Sequence, residues 1–397
     1  MVSISLERTL DPQSFEQVEY FQAILSCMKH NVRDGYREPL IVISLITPPD
    51  LTGAEEVVMS KVGSNNESHN SWSRRDLLAF GGSIVGGMAT GGRAMAEMSA
   101  MNQTWPGRAF GDGLLSGKVA VVTGAARGIG RSIAVDMAAN GADVVGLDIC
   151  AKITPVQSYA IATREDLDET GKLVKQHGRQ FMEIVGDVRD IAFLRSTADQ
   201  VQQKFGHIDI VVANAATQRF KPLVEMEDWE WNDVINNNLN GTANTIRAFA
   251  PMLIKNGGGR IIVLSSMQGK HGSKNMSSYS ASKWGIIGLM KSAALELGKD
   301  KITVNALIPG LVDTPLTHNE ARWSALIGEV TANDNPPKNP TEKEAYDTRA
   351  PHEPLKVAWL KPEDLAPAAV FLASDLASMV TGATYDVTGG DNANNQS

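Results

Sequence analysis

Val119-Ala120-Val121-Val122-Thr123 followed by Gly124-Ala125-Ala126-Arg127-Gly128-Ile129-Gly130 is the stretch that decides the fold. A short apolar, β-branched run ends at glycine, and a helical pattern over 129–140 follows at once. Short continuous apolar runs of this kind suit a strand buried on both faces. In a strand–turn–helix setting, the glycines permit a tight turn, close approach of a pyrophosphate and close helix–strand packing, while the helix N-terminus attracts phosphate charge. The spacing is G-x-x-x-G-x-G, and Gly124, Arg127, Gly128, Ile129 and Gly130 are therefore candidate cofactor-binding residues. A glycine turn without that setting is as often a packing device.

Working outward, further strands are expected at 143–147, 181–185, 208–213, 260–264, 302–307 and 384–387. Helices are expected at 164–177, 191–205, 229–252, 280–297 and 362–372. Strands alternating with longer helices imply a parallel sheet covered on both sides. With right-handed crossovers this is a doubly wound, Rossmann-type, three-layer α/β domain, placed at 117–392, with a substrate lid. Asp148 ends the second strand, where a carboxylate accepts hydrogen bonds from ribose hydroxyls and repels a 2′-phosphate, selecting NAD over NADP. Arg127 pulls weakly the other way, but no basic residue directly follows Asp148.

The wider chain resembles the short-chain dehydrogenase/reductase family over residues 117–390. Ala213-Asn214-Ala215-Ala216 stands where the family has Asn-Asn-Ala-Gly, and Thr388-Gly389-Gly390 where it has Asp-Gly-Gly. The resemblance implies cofactor contacts from Ile149, Asp187, Val188, Asn214, Ala215, Pro309, Val312 and Thr314, and a catalytic set of Asn238, Ser266, Tyr279 and Lys283. Tyr279 and Lys283, four apart on a helix, emerge on one face. An ammonium beside a phenol favours phenolate and a positive nicotinamide ring adds to this, so the tyrosine is expected to ionise below its ordinary pKa and to exchange a proton with an alcohol. Ser266 would bind the reacting oxygen, and the resemblance gives Asn238 a water that links Lys283 to solvent. A Tyr-x-x-x-Lys pair by itself is a common accident of helices; here it follows a serine-rich strand end at the family's spacing.

The segment 151–163 and a long segment opening at Thr314-Pro315-Leu316 resemble the carveol-dehydrogenase-like, mycofactocin-associated branch. That resemblance implies secondary alcohols, often cyclic, a tightly held NAD buried by 151–163, and an external electron acceptor. The lid is placed at 316–359, with Trp323, Leu326, Ile327, Leu355, Val357 and Trp359 covering an apolar ring or packing between subunits, and with a looped polar middle at 331–348. Met267, Gln268 and His271 are placed near the pocket, His271 as a loop residue, and Cys150 as a packed strand end. The family implies a homotetramer. Two rivals are an epimerase or dehydratase of sugar nucleotides, which pairs Tyr-x-x-x-Lys with G-x-x-G-x-x-G and a larger C-terminal domain, and a non-catalytic NAD-sensing protein, which usually lacks the tyrosine or lysine.

Before residue 117 the pattern differs. Ser73-Arg74-Arg75-Asp76-Leu77-Leu78, a weakly apolar glycine-rich stretch, Arg93 and Ala94-Met95-Ala96 resemble a twin-arginine export signal, placed at 59–96 and followed by a linker at 97–116. This predicts a periplasmic protein; a flexible small-residue leader on a cytoplasmic protein is the other reading. Met59 is the more natural start for such a signal, which leaves 1–58 as an N-terminal extension with a strand-like run at 40–46. The charge balance, 45 acidic against 37 basic residues, offers no basic surface for nucleic acid. Two cysteines, Cys27 and Cys150, make neither a disulfide framework nor a metal motif. No run is apolar and long enough to predict stable membrane insertion.

Overall fold

Seven parallel strands carry the fold: β1 (Val119–Thr123), β2 (Asp143–Asp148), β3 (Phe181–Val185), β4 (Ile210–Ala213), β5 (Gly259–Leu264), β6 (Ile302–Pro309) and β7 (Thr384–Val387). In the computed structural model their order is β7-β6-β5-β4-β1-β2-β3, all pairs parallel. The structure describes residues 113–152, 159–333 and 335–394, together with five two- or three-residue strands before them. The chain divides into the units Met1–Asn102 and Gln103–Ser397; in the first, Met59–Lys61 pairs antiparallel with Val2–Ser3 and His69–Asn70. Apart from Met59–Lys61 and His69–Asn70, the segment 59–96 read as a twin-arginine signal lies outside the described residues, as does the strand-like run at 40–46.

Every residue of β1 is buried, as the unbroken apolar run requires. Its side chains divide by the strand period of two. Ala120 and Val122 join one core with Ile133, Met137, Leu167 and Val370; Val119 and Val121 join the other with Leu194, Val201, Phe249 and Met290. The first layer is made by α1 (Gly128–Ala139), α2 (Arg164–Gln176) and the helix Ala366–Ala373. The second is made by α3 (Ile191–Phe205), the two-part helix α4 (Asp228–Val234) and α5 (Gly241–Lys255), and α6 (Ser277–Leu297). The strand order reverses between β1 and β4, so a crevice opens at the carboxyl ends of these strands.

Two elements depart from the expected pattern. The single helix read over 229–252 runs from Asp228 to Lys255 and widens into a π-helical stretch at Ile235–Asn240. Asn237 Nδ2 donates to the Asp233 carbonyl at 2.8 Å, occupying the acceptor one α-turn back. The polar middle of the lid is only partly a loop: α7 (Glu320–Thr331) is followed by α8 (Glu342–Arg349). Thr341 and Glu344 form a reciprocal cap that starts α8.

Gly130 shows how closely α1 sits on the turn. A Cβ there would lie 2.0 Å from the Gly124 carbonyl oxygen, against backbone that cannot swing aside. Gly130→Ala is expected to cost about 2–3 kcal/mol by overpacking, seen as a lowered midpoint in thermal denaturation. Gly272→Ala, with open space around the added Cβ, should leave that midpoint unchanged.

Candidate active site

The crevice is one elongated cleft with about 1330 Å³ of empty space including its mouth. At its floor, Thr123 and Asn214 lock β1 to β4. Thr123 Oγ1 accepts from the backbone N–H groups of Asn214 and Ala215 at 3.0 and 3.1 Å, and Asn214 Nδ2 donates to the carbonyls of Thr123 and Gly124 at 2.9 and 3.2 Å. Asn214 therefore shapes the glycine turn as well as lining the cleft. The opening turn of α1 has no side-chain cap and no acidic residue, so its amides remain available to an anion. Gly128, at φ +56°, sits with its Cα side against Thr314, where a Cβ would come within 3.1 Å of the threonine methyl. These features fit a dinucleotide pyrophosphate.

Asp148 is buried at the end of β2, its two carboxylate oxygens accepting from the amides of Ala126 and Cys150 at 3.1 Å each. Further lone pairs remain for ribose hydroxyls. The competing influence of Arg127 is checked by its surroundings: its guanidinium donates to the Ala160 carbonyl and faces Asp166 and Asp148. Ile149, Asp187 and Val188 line the same end, with the Asp187 carboxylate held by Arg189. Tyr159 and Thr217 share a hydroxyl–hydroxyl hydrogen bond of 2.7 Å across this end. Cys150 packs against the core, and burial pushes its thiol up to about 12, which removes thiolate chemistry at neutral pH.

At the other end, Ser266, Tyr279, Lys283, Pro309, Val312 and Thr314 line the cleft together. Ser266 follows β5, accepts from the Gln268 amide at 3.2 Å and stands beside the Tyr279 phenol. Lys283 Nζ donates to the Leu264 carbonyl at 2.8 Å and lies 5.4 Å from the centre of the Tyr279 ring. The expected lowering of the tyrosine pKa counts the nicotinamide charge and is not found in the protein alone. Burial drives the phenol up to about 12, against smaller downward pulls from Ser266 and Arg322, and drives the Lys283 ammonium down to about 7. In the protein alone, desolvation governs both groups.

Asn238 is fully buried in the π-helical stretch, and its side chain is spent on other partners: Oδ1 accepts from the Thr217 amide, and Nδ2 donates to the Thr217 carbonyl and Ser282 Oγ, at 2.9, 2.9 and 3.0 Å. It fixes the loop after β4 against α6, while its neighbour Asn237 reaches the cleft. Gln268 bonds to Ser273 and Ser280 behind the cleft, and His271 stays on a loop. Trp323 and Trp359 pack with Leu311, Leu326, Ile327 and Ala345, whereas Leu355 and Val357 are exposed, so this apolar set holds the lid together more than it covers the cleft. Thr217, Tyr159 and Arg322 were not singled out from the sequence; Thr217 had no motif, and the other two lie in the two insertions.

A family model for short chain dehydrogenase matches residues 118–325. The chain belongs to that family. The dehydrogenase is 36% identical over 278 residues to (-)-trans-carveol dehydrogenase of Rhodococcus erythropolis, covering 70% of this chain and 98% of that protein. It is 40% identical over 273 residues to an NAD-dependent oxidoreductase of Mycobacterium tuberculosis, covering 68% and 94%. Carveol dehydrogenase from Mycobacterium avium in complex with NAD superposes with a TM-score of 0.66 at 37% identity, covering 70% of this chain and 98% of that one. This dehydrogenase is thus an NAD-dependent oxidoreductase. Among the described residues no helix is long and apolar enough to cross a membrane, and no His, Cys, Asp and Glu cluster could hold a metal.

Asp148→Asn is expected to weaken NAD binding about tenfold or more while narrowing the preference over NADP, because a charge-assisted acceptor of ribose hydroxyls becomes a mixed donor and acceptor. Titration with each dinucleotide measures both. Asn238→Ala should cost about 2–4 kcal/mol by stranding the buried Thr217 amide and carbonyl, read by denaturant unfolding.

Proposed function

We propose that this dehydrogenase interconverts a secondary, cyclic or apolar alcohol and its ketone, with Tyr279 as general acid/base. The observation that carries the reading is the Tyr279 side chain beside Ser266 at the inner end of the NAD cleft, with Lys283 against its ring. NAD supplies the nicotinamide that accepts hydride in oxidation, and its positive charge when oxidised. Ser266 holds the reacting oxygen beside the phenol and fixes the carbon's approach. Tyr279 takes the hydroxyl proton in oxidation and returns it in reduction. Lys283, with a pKa near neutrality, holds or releases a proton at Nζ beside that ring. The likeness to carveol dehydrogenases supports a cyclic substrate.

The residues around 151–163 support a tightly held NAD. Tyr159 reaches across to Thr217, and the Ala160 carbonyl is tied to Arg127. A dinucleotide held in that way would cycle with an external electron acceptor, which suits export in the folded state by a twin-arginine signal to a compartment without free NAD. A homotetramer completes this proposal.

Tyr279→Phe is expected to abolish turnover, a loss of about three orders of magnitude or more, while NAD remains bound. Retained turnover of trans-carveol or other cyclic alcohols would overturn the role of the phenol. Because burial raises the phenol, oxidation should quicken as pH rises above neutrality, and reduction, which needs the protonated phenol, should hold through neutral pH and fall only in alkali. Initial rates in both directions across pH check this. Acid denaturation of protein purified without added nucleotide should release NAD in near-equal amount; a nucleotide-free supernatant would refute tight retention.

A further inference from the structure

One buried charge in the lid is not used by this chemistry. Arg322, in the first turn of α7, is 3% exposed. Its guanidinium lies 5.5 Å from the centre of the Phe220 ring, and Phe220 packs against the small cluster of Val234, Met276 and Tyr279. Its one carboxylate partner, Glu329 on the same helix, is 3.4 Å from Nη1 and is partly exposed. Among the described residues no second side chain or carbonyl accepts its N–H donors. The neighbouring Arg349 of α8 adds positive charge, and its Nη2 is paired with Glu353 at 2.7 Å and Asp391 at 2.9 Å. A cation buried with so loose a counter-ion is costly unless negative charge appears nearby. The Tyr279 phenol can supply it, since Tyr279 belongs to the cluster on which Phe220, the ring under Arg322, is packed.

We infer that Arg322 is a positioning residue for the proposed acid/base step: carried on the lid helix, its charge acts past Phe220 to favour the phenolate of Tyr279. The inference rests on the function proposed above for Tyr279. Around the phenol stand Ser266 from the end of β5, Lys283 on its own helix and Arg322 from α7. Around Arg322 stand Glu329, Arg349 and Tyr279. Burial lowers the Lys283 ammonium to about 7, whereas an arginine keeps its charge, so Arg322 is the protein's own positive group that persists in alkali, beside the charge of the oxidised cofactor. Lid placement thereby sets the acidity of the group that exchanges the proton.

The test uses the NAD-loaded protein with Arg322→Met, Arg322→Lys and Glu329→Gln. Two readouts are taken: kcat/KM for oxidation of trans-carveol across pH, and ultraviolet absorbance titration of each protein against its Tyr279→Phe counterpart. Arg322→Met should move the ionisation of Tyr279 upward by about one pH unit and lower oxidation at neutral pH about tenfold. Arg322→Lys should stay near the parent, and Glu329→Gln, which removes the compensating negative charge, should move it downward. A purely structural lid role predicts no such opposed pair. Coincident profiles for Arg322→Met and the parent, an unchanged or upward profile for Glu329→Gln, or a change in KM alone would overturn the inference. Should Arg322→Met fail to fold, Glu329→Gln decides. The titration needs no substrate, so a protein inert toward alcohols that still shows the opposed movements would refute the substrate reading and leave the role of Arg322 standing.

Discussion

The hydrogen bonds between Thr123 and Asn214 are the constraint on which the site depends. They join the ends of β1 and β4 where helices leave the sheet toward opposite faces, and there the backbone cannot satisfy itself through a strand ladder. A hydroxyl that accepts two amides and a carboxamide that donates to two carbonyls do this work instead. With those groups paired, the glycine turn keeps its shape, α1 points its uncapped amides into the cleft, and Asp148 sits at a fixed distance along the neighbouring strand.

The other end of the cleft is governed by desolvation. Burial favours the neutral forms of both Tyr279 and Lys283, the reverse of the ion-paired state that a helical spacing of four leads one to expect. A site of this kind is poised: the phenol stays protonated in the protein alone, and each added positive charge pushes it toward phenolate. In the proposed reaction, acid/base competence is a property of the assembled cleft, with charge from the cofactor and from Arg322 offsetting the cost of a buried phenolate.

Much of this was legible in the sequence because it depends on local pattern. The apolar run of β1, the glycine turn and Asp148 follow from strand period, turn geometry and a short step along the chain, and the structure places them together. The spacing of Tyr279 and Lys283 fixed a shared helix face, but not how much water that face would lose. The π-helical widening around Asn238 was hidden because a run of asparagines reads as weak helix, and only the fold decides which carbonyl their side chains take. Helix α8 was visible in principle through Thr341 and Glu344, a signal overridden by the surrounding prolines and charges. Arg322 carried no signal, since an arginine in an amphipathic helix is ordinarily at the surface.

Thr217 joins features that lie far apart along the chain. Its hydroxyl meets Tyr159, which belongs to the segment over the adenosine end, while its backbone is clasped on both sides by Asn238, which is anchored in turn to α6, the helix of Tyr279 and Lys283. The Tyr159 contact therefore falls on a residue whose peptide groups brace α6. One residue thus ties the segment at the Asp148 end of the cleft, through its hydroxyl, to the helix of Tyr279, through its peptide groups.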